Sequence, residues 1–187
     1  MNVYDFDNTI YDGDSTVDFY LFSLEKNFLL IRFLPIQVMG IVMYKLKIIN
    51  KRRMKEHFFY FLNGIKDIDN EVIAFWEFKK WKLKDWYIKQ KKDNDVVISA
   101  SPIFLLKPMC EKNKIKILIA TDVDKKNGHF YSENCHGDEK VSRFRMLFEK
   151  NEIEEFYSDS KSDMPLAVIA DKAFVIRKNN ISVWERQ

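Results

Sequence analysis

Within nine residues of its start the chain places a short apolar strand and two carboxylates at the same end of that strand. Val3, Tyr4 and Phe6 read as a buried strand, and it runs into a polar turn holding Asp5, Asp7, Asn8 and Thr9. Two like charges ~4 Å apart repel by ~4 kcal/mol at an effective dielectric of ~20. A fold carries that cost more readily when a cation or a shared proton relieves it. The competing reading is a strand end whose Asp and Asn residues only cap a turn. The rest of the chain has to decide between them.

The 187 residues are 47% hydrophobic and 15% aromatic, which gives room for one core or a core plus a small insert. The same figures exclude a disordered tail. A net charge of +3 is too weak a basic surplus to argue for a nucleic-acid partner. Cys110 and Cys135 have no metal-ligand pairing and suit a reduced intracellular setting better than a disulfide scaffold. No basic–apolar–small leader pattern precedes the first strand, so the expected location is cytoplasmic.

After Asp12 the pattern changes. Asp14-Ser15-Thr16 is a helix start signal, and strand periodicity does not return until Val96. Residues 14–92 read as a helical insert with helices over 15–26, 28–47, 51–62 and 69–91. Asn63-Gly64 ends the third, and Asp69 is the expected cap of the fourth. Stretch 28–49 is notably apolar, but Arg32, Gln37, Lys45 and Lys47 interrupt it and Pro35 sits inside it. A membrane span needs ~20 predominantly apolar residues. The favoured reading is a buried or partly exposed insert helix, with interfacial membrane contact as the alternative. The last insert helix interleaves Lys79, Lys80, Lys82 and Lys84 with Trp76, Trp81 and Trp86. It reads as an amphipathic helix with a solvated Lys face rather than an RNA surface.

From Asp95 strands alternate with helices. Val96-Val-Ile98 is an apolar strand, followed by a helix over 103–113 and a strand over 115–120. Asn127-Gly128 between Val123 and Phe130 is a hairpin signal. A helix over 141–151, a strand over 153–157, a short helix over 164–170 and a last buried strand, Ala173-Phe-Val-Ile176, complete the chain. This alternation argues for an α/β fold with a parallel, Rossmann-like sheet covered on both faces. The expected division is a core domain of 1–13 and 93–187 with a helical cap of 14–92.

Ligands of open α/β sheets bind beyond the carboxyl ends of the strands. Four expected strands end in polar loops: Asp5-Phe-Asp-Asn-Thr9, Ser99-Ala-Ser-Pro102, Thr121-Asp122 and Ser158-Asp-Ser-Lys-Ser-Asp163. Lys140 opens a helix that can approach the same rim. The carboxylates of Asp5, Asp159 and Asp163 suit Mg²⁺, a hard cation that takes oxygen ligands. Ser99 can donate to a phosphate oxygen, and Lys140 supplies a positive charge. Three carboxylates would repel a phosphate dianion unless a divalent cation stood between them.

In order and spacing, Asp5-Phe-Asp-Asn-Thr9, Ser99, Lys140 and Asp159 with Asp163 resemble the four motifs of the haloacid dehalogenase-like superfamily of phosphohydrolases. The insert between the first two motifs resembles the cap of the phosphoserine phosphatase-like branch. So do Asp12-Gly-Asp-Ser15, Ile98-Ser-Ala-Ser-Pro102 and Cys135-His-Gly-Asp-Glu-Lys140. The resemblance implies a phosphomonoester hydrolase acting through an aspartyl-phosphate. Asp5 would be the nucleophile and Asp7 the general acid and base. Mg²⁺ would be held by Asp5, the carbonyl of Asp7, Asp159 and Asp163. Thr9, Ser99 and Ala100 would orient the phosphoryl group, and Lys140 would neutralise it. Asp14 resembles the acidic position that reads a substrate amino group in phosphoserine phosphatases. Two departures stand out: Asn8 and Ser158 replace glycines common in the family. Asn tolerates the left-handed turn.

The implied partner is a small phosphorylated metabolite or a lipid phosphate, and the apolar 28–49 stretch suits a bulky leaving group better than a small amino acid. Arg52 and Arg53 could pair with a substrate carboxylate, but surface arginines are common and a solvated pair is the favoured reading. Cys135, His57 and His136 read as structural. A phosphotransferase or mutase, and a non-catalytic phosphate-binding protein, remain the rival readings on this fold.

Overall fold

The computed structural model describes residues 1–148 and 152–185. Strand β1 (Asn2–Tyr4) lies at the centre of a six-stranded sheet. On one side it pairs in parallel with β2 (Val96–Pro102), which pairs with β3 (Ile117–Thr121). On the other it pairs with β4 (Glu155–Ser158), which pairs with β5 (Lys172–Arg177). Chain order therefore reverses at β1, and the crevice beyond its carboxyl end is the switch point at which such sheets bind ligands.

An edge strand not expected from the sequence, β6 (Asn180–Val183), runs antiparallel to β5. All four of its residues are exposed, so no buried alternation marked it.

Successive residues of β1 face opposite layers, as strand geometry requires. Val3 joins Val96, Ile98, Phe144, Phe156 and Leu166 on one face. Tyr4 joins a second cluster with Phe6, Phe19, Phe61, Phe75, Trp76 and Tyr87 on the other. Tyr4 stacks on Tyr157 and Tyr157 on Phe174, each pair with centroids 4.9 Å apart.

The insert begins with α1 (Ser15–Lys26), whose first turn is capped by the Asp14 carboxylate, and continues through a 3₁₀ turn, Phe28–Phe33, into α2 (Leu34–Lys45). Helix α3 (Lys51–Phe59) and a 3₁₀ turn, Tyr60–Gly64, follow. The helix expected over 28–47 is thus split just before Pro35, a residue suited to the first turn of a new helix. It is also far more exposed than a core helix: only Leu30, Gln37 and Gly40 are buried in it.

Helix α4 (Ile68–Lys79) is capped by Asp67, which accepts from Asn70 N, and not by Asp69. The single helix expected over 69–91 breaks after Lys79 and resumes as α5 (Asp85–Gln90). The break has a tertiary cause. Lys84 N donates to Ile10 O at 2.9 Å and Asp12 N to Lys82 O at 2.8 Å, so the chain there pairs with the turn after β1 instead of with itself. Trp76 is buried and its indole donates to Leu105 O, whereas Trp81 is exposed.

Helices α6 (Ile103–Lys112), α7 (Asp138–Leu147) and α8 (Met164–Ile169) complete the layers. Residues 149–151, the end of the helix expected over 141–151, lie outside the described residues. The hairpin signal at Asn127-Gly128 yields one antiparallel bridge, Val123 to Phe130, with Gly128 at φ 79°.

The insert is not packed as a separate body. Phe19, Phe59, Phe61 and Phe75 from it and Tyr4, Phe6 and Val97 from the sheet belong to one apolar cluster. Phe75 is fully buried among Phe19, Phe22 and Trp76. Phe75→Ala is expected to cost about 3–5 kcal/mol in urea unfolding. A cost under about 1 kcal/mol would mean that Phe75 is not closely packed in this cluster.

Candidate active site

The turn after β1 is set by its own backbone. The amides of Thr9, Ile10 and Tyr11 converge on Phe6 O, and Asn8 sits at φ 57°, the left-handed conformation that its short polar side chain tolerates. Asn8 N donates to Gly13 O at 2.8 Å. This tight loop puts Asp5 and Asp7 on the sheet rim in different surroundings.

Asp5 accepts at Oδ1 from Lys140 Nζ at 2.6 Å and at Oδ2 from Thr9 Oγ1 at 3.4 Å. Lys140, in the first turn of α7, donates equally to Asp163 Oδ2 at 2.8 Å. The Ser158 hydroxyl donates to that same oxygen at 2.7 Å. Three charged groups from three elements are thereby fixed together, almost out of contact with water: Asp5 is 7% exposed, and Lys140 and Asp163 are each 2% exposed. Burial works against the Lys140 ammonium, but Asp5 and Asp163 outweigh it and raise the pKa above the ordinary lysine value. Burial raises the Asp5 carboxyl, against the opposing pull of Lys140. Asp159 is raised by burial and then by Asp163. Its amide donates to Thr9 Oγ1 at 3.0 Å, which ties the β4 loop to the β1 turn.

Asp7 is held by other partners. Its Oδ1 accepts from Ser15 N at 2.7 Å and its Oδ2 from Ser101 Oγ at 2.5 Å. Its pKa is pushed up to about 6, by burial first and by Asp14 second, with Ser101 and Ser15 opposing. A carboxyl tuned toward neutrality can carry a proton at working pH and also return as a base.

Around these groups lies a cavity of about 360 Å³. Asp5, Asp7, Asp14, Ala100, Lys140, Asp159 and Asp163 all line it. Asp14 lines it while its Oδ1 caps α1 through Thr16 N and Val17 N. Thr9 and Ser99 do not line it. Thr9 is fully buried behind Asp5, and the Ser99 hydroxyl accepts from Ser101 N at 3.0 Å. Thr121 is turned inward as well, donating to Ala100 O.

Ser101, Lys51, Lys55 and His136 are among the lining residues that sequence reasoning missed. It offered Arg52 and Arg53 instead, and both point elsewhere, Arg52 to Glu133 and Phe130 O and Arg53 to Glu56. The available signal was helical spacing. Lys51 and Lys55 are four apart and share one face of α3 with Met54 and Phe58, which also line the cavity. Lys55 donates to Ala100 O and to Asn134 Oδ1, both at 2.9 Å, and so joins the insert to the sheet rim. Burial, then Lys51, lowers its pKa to about 8. Lys51 Nζ lies 2.9 Å from His136 Nε2. His136, expected to be structural, therefore stands at the cleft; its pKa is lowered by burial and by Lys51.

Five carboxylates face three ammonium groups in this lining. The donors are oxygens, the set a hard divalent cation takes, and the excess of negative charge would repel a phosphate dianion. The donor set fits Mg²⁺ on both counts. No group of three acidic, imidazole or thiol side chains among the described residues already stands as a closed metal cluster, and Asp5 and Asp163 are both held by the Lys140 ammonium.

The sequence model of the haloacid dehalogenase-like hydrolase family matches residues 3–167. No curated protein sequence matches the chain. Among solved structures, a protein of unknown function from Bordetella pertussis Tohama I is similar at TM-score 0.74 and 16% identity, over 92% of this chain and 87% of that one. A phosphoserine phosphohydrolase-like protein from Francisella tularensis subsp. tularensis SCHU S4 is similar at TM-score 0.58 and 16% identity, over 96% and 90%. DsGPDH of Dunaliella salina is similar at TM-score 0.54 and 17% identity, over 91% of this chain and 30% of that one. At such identities the structures speak for the fold alone. The family match is of another kind: it runs from β1 through the β4 loop and so contains every acidic residue and the lysine of the rim, and the chain belongs to the haloacid dehalogenase-like hydrolase family.

Proposed function

We propose that this hydrolase is a Mg²⁺-dependent phosphomonoester phosphatase that works through an aspartyl-phosphate on Asp5. The observation that carries the reading is the burial of Asp5, Lys140 and Asp163 in one contact network at the switch point of the sheet, with Asp7 held separately beside them. The phosphoserine phosphohydrolase-like character of the Francisella protein agrees with it.

The chemistry divides between the two first-turn carboxyls. The Asp5 carboxylate attacks phosphorus, and the bond from phosphorus to the leaving oxygen breaks. Asp7 gives its proton to that oxygen. Asp7, now a carboxylate, then takes a proton from water as the water attacks phosphorus, and the acyl-phosphate bond opens to release inorganic phosphate and Asp5. Lys140 holds Asp5 in place and balances charge on the transferring oxygens. Asp5, the Asp7 carbonyl, Asp159 and Asp163 would hold Mg²⁺. When bound, the ion would supply two positive charges to offset the negative charge of the carboxylates and of the phosphoryl group. The Lys51 and Lys55 ammoniums at the cleft attract an anionic substrate. Val17, Met54, Phe58 and Phe59 supply an apolar wall for the hydrocarbon or ring portion of the leaving group. That wall favours a lipid phosphate or another bulky phosphomonoester over phosphoserine.

Hydrolysis of an aryl phosphate should require added Mg²⁺ and stop with chelator. Asp5→Asn should lower kcat by at least ~10³-fold while its circular dichroism spectrum still shows a folded protein. An Asp5→Asn protein that keeps most of its turnover would remove Asp5 as nucleophile. Ser101→Ala takes one charge-assisted hydrogen bond from Asp7, worth about 1.5–3 kcal/mol, so kcat should fall ~10–100-fold with KM little changed. Unchanged kcat would mean that Ser101 does not position Asp7.

A further inference from the structure

The least expected surface of the molecule is the outer face of the insert. Across the 3₁₀ turn Phe28–Phe33, helix α2 and the loop after it, most apolar side chains are exposed, while Leu30 is buried. Phe28 is 69% exposed, Leu29 68%, Val38 49%, Val42 48%, Leu46 65% and Ile48 63%. Segment Phe28–Lys45 is long and apolar enough to cross a bilayer by length and composition, yet only 17% of it is buried. A soluble monomer rarely leaves so continuous an apolar face uncovered.

The charge around this face indicates what covers it. No Asp or Glu occurs between Glu25 and Glu56, while Lys26, Arg32, Lys45, Lys47, Lys51, Arg52, Arg53 and Lys55 fall in the same interval. Arg32, Lys45 and Lys47 are exposed beside the apolar residues. A second copy docked face to face would bring this basic rim against itself. An anionic lipid surface offers the opposite charge together with a hydrocarbon layer.

The inner face of α2 fixes how it lies. The Gln37 amide donates to Phe58 O on α3 at 2.9 Å. A Cβ added at Gly40 would stand 2.5 Å from His57 Cβ, so α2 and α3 are in close contact along that edge. Crossing a bilayer would tear α2 off α3 and take Gln37 into hydrocarbon without its partner. Lying in the plane of the interface preserves both.

We propose that the face formed by Phe28–Phe33, α2 and the following loop docks in-plane on an anionic lipid bilayer, with Arg32, Lys45 and Lys47 meeting the headgroups. The segment that carries this surface runs on in sequence to the cleft. Leu46 and Ile48 precede Lys51 by a few residues, and Lys51 lines the catalytic cavity. The proposal does not depend on the reaction assigned above, because its test reads binding and not turnover.

The full chain is to be co-sedimented with phosphatidylcholine vesicles, with and without an anionic phosphatidylglycerol fraction, while its mass in solution is measured by light scattering without lipid. A monomer should bind the anionic vesicles and be released as salt rises. The Val38→Glu/Val42→Glu variant, altered on an exposed face, should partition at least ~10-fold more weakly to both vesicle types. Arg32→Glu/Lys45→Glu should weaken binding to the anionic vesicles alone. Circular dichroism melts that match the parent show that each variant is folded. Wild-type protein left in the supernatant with anionic vesicles would overturn the proposal. So would variants that bind like wild type, or a wild-type dimer that Val38→Glu/Val42→Glu dissociates.

Discussion

One ammonium group holds the centre of this molecule together. Lys140 reaches into a site with almost no water and donates to a carboxylate from β1 and to another from the loop after β4. Either carboxylate buried alone would be costly, and a lone buried lysine equally so. The three are acceptable only as a set, so each element that brings one of them constrains the other two. Thr9 and Ser158 complete the arrangement by hydrogen bonding to Asp5 and Asp163. The rim groups are therefore held in place by one another, and preorganised groups of this kind stabilise a transition state at little reorganisation cost.

The same arrangement gives Asp5 and Asp7 different characters two residues apart. Asp5 faces a fixed positive charge. Asp7 faces Asp14 and hydrogen-bond donors without charge, the amide of Ser15 and the hydroxyl of Ser101. Burial acts on both, but only Asp5 has a cation in contact. Under the proposed mechanism, these neighbours would make one of the two like residues a nucleophile and the other a proton carrier. The left-handed Asn8 permits this by turning the chain sharply enough to aim both side chains at one cavity.

What was legible in the sequence follows from how local each signal is. The acidic turn, Lys140 and the Asp159/Asp163 pair are short patterns at strand ends and a helix start, and parallel strands bring such ends to one rim. Thr9 and Ser99 were placed one layer too far forward, because sequence cannot tell a hydroxyl that meets substrate from one that braces a loop. Ser101 was overlooked beside Ser99 for the same reason. Lys51 and Lys55 were hidden by the adjacent arginines, and only the face of α3 that turns to the cavity separates them. The break between α4 and α5 could not be read locally, since its cause is the backbone of residues 10 and 12. The sequence suggested a buried or partly exposed helix at α2, and its actual exposure lies at the far end of that range because apolar composition usually means burial.

The account stands or falls on whether Lys140 neutralises Asp5 and Asp163 as a buried unit. Urea unfolding in chelator should show Lys140→Met destabilised by about 3–5 kcal/mol, since it leaves two carboxylates uncompensated. Adding Asp5→Asn and Asp163→Asn to Lys140→Met should recover most of that loss. A triple variant whose destabilisation is the sum of its parts, or a Lys140→Met protein as stable as the parent, would contradict the claim.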